Sequence, residues 1–322
     1  MTGLKILAGI LCGLYLLFLA GIFRLLFWNS DRWKEKGPSL PEDADYAPYK
    51  RQMEELVGAM QKQTPAEEIR IPAADGTSLY GRYYPGKENA PIALLFHGYH
   101  GGAERDMCGA HKISREHGIS AILIDQRAHG KSGGNVTTFG IREQEDTRRW
   151  AAYCRERFGQ EKKVILYGIS MGAAAVLMAA KEPLPDNVCG IIADCPYESP
   201  GAIIRTVMKR MHVSFLWPSV VLSAALFGHF RLTGRSALAG IRRTDLPVLL
   251  LHGEEDHFVP VSMSEDLARA GKHTELFTFP GAAHGISYLT DPGRYTRAVL
   301  DFFRTAAGWE SREEKPGKEE TA

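Results

Sequence analysis

The chain opens on a run with no polar periodicity. From Ile6 to Phe23 no residue is charged, and Leu, Ile, Phe and Gly dominate. A helix of that length matches the hydrocarbon thickness of a bilayer, so residues 1–29 are expected to form one membrane anchor. A cleavable signal peptide is the competing reading. Its apolar stretch would be shorter and would end on a small-x-small site, which Phe18-Leu19-Ala20-Gly21-Ile22 supplies poorly. Lys5 flanks one side of the run, and Arg24, Arg32, Lys34 and Lys36 flank the other. That bias favours keeping the bulk of the chain in the cytoplasm, with the outer face as the alternative.

Beyond the anchor, residues 30–45 are polar and carry Pro38 and Pro41, the composition of a spacer. Tyr49, Met53, Leu56, Val57 and Met60 then recur at helical spacing, predicting an amphipathic helix over 47–63, packed on the domain or lying on the membrane surface. Two runs, Glu68 to Ile71 and Ser78 to Tyr84, flank the turn Ala74-Asp75-Gly76 and read as an antiparallel hairpin. Short apolar runs follow at Ile92–Phe96, Ala121–Ile124, Val164–Tyr167, Gly190–Ala193, Val248–Leu251 and Leu276–Phe279, separated by longer helix-like stretches. That alternation predicts an α/β domain over 46–309 with a mostly parallel sheet. The charged tail, residues 310–322, is expected to be disordered.

With 322 residues, 44% of them apolar, the chain can bury a continuous core. Its 39 basic and 38 acidic residues nearly cancel, so no global field favours nucleic acid as a partner. Five cysteines without a C-x-x-C pair, mostly inside apolar segments, read as reduced buried thiols. No metal site is expected, because Cys and His do not cluster at ligand spacing.

The strongest local signal is Gly168-Ile169-Ser170-Met171-Gly172, which follows the apolar run Val164–Tyr167 and opens the Ala-rich stretch from Ala173. Strand, sharp glycine-flanked turn and helix form a nucleophile elbow, which thrusts a serine hydroxyl out at the top of a sheet. Such a hydroxyl needs a base held in the correct tautomer by a carboxylate. Asp256, just past Val248–Leu251, and His284, past the last strand, come in the order Ser, Asp, His that an elbow-type hydrolase uses. Glu254, Glu255 and Asp266 are rival acids, and His252 and His257 rival bases. The oxyanion donors are expected to be the backbone amides of Met171 and of Tyr99, the latter within His97-Gly98-Tyr99-His100-Gly101-Gly102. His97 reads as structural, whereas His100 stays undecided.

Together with Asp125-Gln126-Arg127-Ala128-His129-Gly130-Lys131-Ser132, these segments resemble the α/β-hydrolase superfamily. The likeness lies toward its membrane-anchored bacterial branch, near monoglyceride lipase and serine aminopeptidase-like proteins, and spans about Ile69 to Phe303. The resemblance implies about eight strands, helices on both faces and a helical cap insertion over about 196–245. It also implies that Asp125, Arg127 and His129 form a structural turn. Within the expected cap, Val213–Phe227 is nearly all apolar, carries Pro218 and is short for a second span. It reads as a cap helix. Alternatively Phe215, Trp217, Val221 and their neighbours line an acyl pocket or dip into lipid, since Lys209, Arg210, Arg231 and Arg235 flank them.

The expected activity is hydrolysis of short to medium acyl or acylglycerol-like carboxylic esters, without metal or organic cofactor, on a small-molecule ester or lipid. An aminopeptidase or amidase, and a non-catalytic membrane scaffold, are the alternatives.

Overall fold

Side chains along the central strands enter two separate apolar layers, as the two-residue period of a strand requires. Ile92, Leu94 and Phe96 join one layer, and Ala93 and Leu95 the other. Leu166 opposes Ile165 and Tyr167 in the same way. Both faces are covered, which is why these runs read as continuous apolar stretches rather than alternating ones.

The computed structural model describes residues 2–30 and 44–310. Most of the expected spacer (31–43) and nearly all of the expected tail (311–322) lie outside the described residues. In chain order the first elements are α1 (Thr2–Leu26), α2 (Lys50–Gln61), β1 (Glu67–Pro72), β2 (Ser78–Tyr84), β3 (Ile92–Phe96) and α3 (Ala103–Glu116). Then come β4 (Ser120–Asp125), α4 (Glu143–Phe158), β5 (Val164–Ile169), α5 (Met171–Ala179), β6 (Val188–Asp194) and α6 (Pro200–Arg210). The last are α7 (Trp217–Gly228), α8 (Ala237–Arg243), β7 (Val248–Gly253), α9 (Val261–Ala270), β8 (Thr274–Phe279), α10 (Ser287–Thr290) and α11 (Pro292–Ala307).

The eight strands form one sheet in the order β1-β2-β4-β3-β5-β6-β7-β8. The pairs β1–β2 and β2–β4 are antiparallel and the rest parallel. Helices α4, α5, α8 and α9 cover one face through Trp150, Val176, Ile241 and Leu267, among others. The other face is covered by α3 and α11, through Met107, Ile113, Val299 and Phe302. The chain reverses its direction of travel across the sheet at β3 and β5. Ligands of open α/β sheets bind at such a switch point, outside the carboxyl ends of the strands, and Phe96 stands level with Gly168 there.

The apolar helix does not end at the domain's border, as a boundary at residue 29 implies. Residues 2–18 are exposed, but Leu19, Phe23 and Phe27 are buried. The Phe27 ring meets Phe139 and Phe230 at 5.9 and 5.3 Å. Asn29 donates to Ala128 O at 2.9 Å and to Thr137 Oγ1 at 3.1 Å. Phe23 in the last turn of α1, and Phe27 and Asn29 after it, therefore belong to the domain's core. Helix α7 runs alongside α1 in the same direction. Tyr15 meets Ser219 (3.1 Å), Ser223 Oγ donates to Leu19 O (2.9 Å), and the Phe23 and Phe227 rings lie 6.0 Å apart.

Candidate active site

Ser170 stands between β5 and α5 with φ 53° and ψ −114°, a left-handed conformation that costs a non-glycine residue roughly 1–3 kcal/mol and persists only when its surroundings impose it. The neighbouring glycines do so. A Cβ on Gly172 would come within 2.1 Å of Phe96 O, and one on Gly168 within 2.3 Å of the Gly172 backbone. The Ser170 amide donates to Asp194 O at 2.8 Å, which fixes the turn against β6. Its side chain is thereby aimed outward, and the residue keeps 8% of its surface exposed.

Three side chains far apart in sequence converge at this turn. His284 Nε2 lies 2.9 Å from Ser170 Oγ, and His284 Nδ1 lies 2.6 Å from Asp256 Oδ2. Asp256 sits in the loop after β7, its other oxygen accepting from the amides of Phe258 (2.9 Å) and Val259 (2.7 Å). Burial pushes this carboxyl up, but the facing His284 and the hydrogen bonds from His252 and His284 outweigh it and hold the group well below the usual carboxylate range. An ionised Asp256 can only accept, so Nδ1 carries the imidazole proton and Nε2 is left as the acceptor facing the serine hydroxyl.

The rivals sit elsewhere or are already engaged. His252 is fully buried, bonded to Ser264 Oγ (2.6 Å) and Val259 O (2.9 Å) and 3.3 Å from Asp256 Oδ2, so it braces the carboxylate. His257 is exposed beside Glu255, Glu254 accepts from Thr278, and Asp266 pairs with Arg269 at the surface.

In the loop after β3, Asp106 Oδ2 accepts from the Gly98 amide (2.9 Å), and the Gly101 amide donates to Gly98 O. The amides of Tyr99 and of Met171, the first residue of α5, have no acceptor among the described residues, which suits two oxyanion donors. The Tyr99 phenol donates to Leu26 O at 2.8 Å, tying this loop to the end of α1. His97 is a buried brace, bonded to Gly98 O and accepting from the Gln126 amide; His100 stacks on Tyr99. Asp125 accepts from the Lys131 amide, and Arg127 makes a two-pronged pair with Asp146 (2.5 and 2.7 Å). His129 bonds Arg127 O, so this segment is a structural turn.

A cavity of about 260 Å³ opens beside Ser170 and His284, walled by Tyr46, Met53, Tyr99, Ile169 and Phe258, with the Arg105–Asp106 pair at its rim. Phe215, Trp217 and Val221 do not line it, contrary to expectation. Phe215 is 76% exposed, Trp217 lies under Arg205 (4.1 Å), and Val221 packs on the core. The reason is physical: α7 finds a second apolar helix, α1, to pack against and does not need to close over the site. The wall comes instead from the segment before β1. Tyr46 donates to His284 O at 2.6 Å, and burial pushes its phenol up, so it remains a donor. The pattern of polar and apolar positions places Tyr46 at the edge of a spacer and Met53 on an amphipathic helix, packed on the domain or lying on the membrane surface. Only the tyrosine at the start of an amphipathic run could have hinted at this role.

Cys195, Asp256 and His284 have potential ligand atoms within 4.8 Å of one another. Asp256 and His284 spend those atoms on each other, and burial pushes the Cys195 thiol far up, so the donor set suits a hydrogen-bonded wall rather than a metal.

Asp194, fully buried behind Ser170, is pushed up to about 6 by burial, only partly offset by the Tyr295 hydroxyl that donates to it (2.8 Å). A carboxyl raised in the folded state stabilises fully below its unfolded value near 4 and loses that contribution as pH rises through about 6. The Asp194→Asn variant should therefore lack roughly 3 kcal/mol of pH dependence that the parent shows across this window. Urea unfolding of both proteins across the acid range measures this, and a pH-independent difference between them contradicts it.

Comparison with known proteins agrees with the fold. Residues 91–232 match the alpha/beta hydrolase fold family and residues 231–309 the prolyl oligopeptidase family. The Bacillus subtilis protein YqkD is 25% identical over 236 residues, covering 72% of this chain and 77% of that one. The Pyrococcus furiosus esterase Pf2001 superposes with a TM-score of 0.59 at 22% identity, covering 74% of this chain and 92% of its own. Est1E of Butyrivibrio proteoclasticus, solved with ferulic acid bound, gives 0.59 at 21% identity over 75% of this chain and 100% of its own. Eight strands in this order, a sharp strand-to-helix turn at the switch point and these likenesses give the chain the α/β-hydrolase fold.

Proposed function

We propose that the protein is a serine hydrolase that cleaves carboxylic esters through an acyl-enzyme on Ser170. The observation that carries this reading is the unbroken relay from Asp256 through His284 to Ser170 Oγ, with contacts of 2.6 and 2.9 Å. His284 takes the hydroxyl proton as Ser170 attacks the acyl carbon and returns it to the departing alcohol; water then repeats the sequence to release the acid. The amides of Tyr99 and Met171 meet the oxyanion. Met53, Ile169 and Phe258 offer apolar contact for a short to medium acyl chain or an acylglycerol. The match of residues 231–309 to the prolyl oligopeptidase family supports amides as a second leaving-group class.

Helix α1 holds the enzyme to a bilayer, retained rather than cleaved because Tyr15 and the Leu19 carbonyl are engaged by α7. The basic residues after it favour a cytoplasmic domain. A fluorophosphonate probe should label the folded full-length chain at Ser170, and Ser170→Ala should abolish labelling along with hydrolysis across a panel of esters and amides. Folded protein that neither labels nor turns over any panel member is a scaffold, and the reading fails.

A further inference from the structure

Ordinary protein surfaces scatter their large exposed apolar side chains singly, whereas a contiguous patch marks a protein or membrane contact. Among the described residues, every such side chain but Phe258 falls on α1 and Trp28 or on the stretch Met211–Phe227, which holds Phe215, Leu222, Leu226 and Phe227. The two elements pack side by side, so their exposed faces form one apolar surface. We propose that α7 and the turn before it are a second membrane element, inserted into the leaflet of the bilayer through which α1 leaves for the domain. This rests on the reading of α1 as a membrane span.

Length carries the argument. Before its first hydrogen bond to α7, α1 offers only Thr2–Leu14, which at about 1.5 Å per residue reaches about 20 Å. The hydrocarbon layer is about 30 Å thick. To cross it, α1 must also commit the turns from Tyr15 to about Gly21, and these are the turns that α7 flanks through Ser219 and Ser223. Whatever depth those turns occupy, α7 shares.

The polarity of α7 fits that depth. Its two serine hydroxyls face α1, one meeting the Tyr15 phenol and the other donating to Leu19 O, the small polar pairing that joins helices within lipid. Its outward positions are Pro218, Leu222, Ala225, Leu226 and Phe227, and as a helix it satisfies its own backbone away from water. Arg24, 6.0 Å from the exposed Trp28 ring, and Arg231 mark the head-group level at the domain end. Arg205, Lys209 and Arg210 edge the patch with stems long enough to return their charges to phosphate. Because the Tyr99 phenol donates to Leu26 O, the oxyanion loop is held at that same level, next to a lipid substrate in the bilayer.

Depth-dependent quenching tests this in the full-length chain carrying Cys12→Ser, reconstituted in phosphatidylcholine and phosphatidylglycerol vesicles. A nitrobenzoxadiazole label is placed singly at Leu222→Cys and Leu226→Cys, with Leu11→Cys as the span control and Glu182→Cys as the solvent control. The expected result is a blue-shifted emission at Leu222 and Leu226, lost to lipids with a doxyl quencher near the head of the acyl chain. Leu11 should be quenched best by doxyl groups deep in the chain, and Glu182 by neither. Quenching at Leu11 but not at Leu222 and Leu226 overturns the inference and leaves the anchor intact. A blue shift at Leu222 and Leu226 that doxyl lipids do not quench also overturns it, since a second copy of the chain then covers the patch. No quenching at Leu11 overturns the anchor reading itself.

Discussion

Asp256→Asn and His284→Ala should each lower kcat on a simple ester by roughly 10⁴-fold, with much smaller changes in KM. The two substitutions act on one relay. Asparagine in place of Asp256 keeps the shape of the loop but presents an amide NH₂ or a neutral oxygen to His284 Nδ1. The imidazole then loses both its enforced tautomer and the negative charge that stabilises it once it is protonated. Alanine at 284 removes the acceptor 2.9 Å from Ser170 Oγ altogether. Because the groups work as a unit, combining either substitution with Ser170→Ala should add almost nothing, and the residual rate above water should report the Tyr99 and Met171 amides alone. Steady-state kinetics on the single and double variants measures this. Losses of only tenfold, or losses that multiply, would mean that the three side chains do not act together.

The elbow was legible because its signal is local: glycines on both sides of Ser170 answer to backbone atoms a few ångströms away, and the flanking apolar run and Ala-rich stretch announce strand and helix. Asp256 and His284 were legible only jointly, through their order and their place after apolar strands, and single residues such as His252 and His257 could not be separated from them without geometry. Strands β3 to β7 followed from continuous apolar runs, since burial on both faces leaves no alternation to blur, whereas β1 and β2 followed from the turn between them. What could not be read was which apolar surface meets which. Phe215, Trp217 and Val221 had the composition of a pocket wall, yet α7 turns to α1, a partner 204 residues away along the chain. Tyr46 reaches His284 over 238 residues. Contacts of that range leave no periodic trace at either end, and a polar stretch between an apolar helix and a domain looks the same whether or not its borders are packed.

A soluble form beginning near residue 41 is the obvious way to study such an enzyme, and it is expected to unfold or aggregate, whereas deletion of residues 2–18 alone should leave a folded domain. The shorter deletion removes only exposed side chains of α1 and the Tyr15 contact. The longer one takes Phe23 and Phe27 out of a cluster with Phe139 and Phe230. It also strips Asn29 from Ala128 O and Thr137 Oγ1, and deprives the Tyr99 phenol of Leu26 O. Deleting one fully buried phenylalanine costs about 3–5 kcal/mol, and each buried polar group left without a partner about 1–3 kcal/mol more. Together these rival the whole stability of a domain, about 5–15 kcal/mol. Phe27→Ala in the full-length chain should lower the melting temperature by on the order of 10 °C while the Ser170–His284 relay, built on other elements, keeps working below the transition. Thermal melts of the three proteins in detergent decide the matter. A form starting at residue 41 that melts where the parent does would mean that the end of α1 only rests on the domain, and the coupling from α1 to Tyr99 would fall with it.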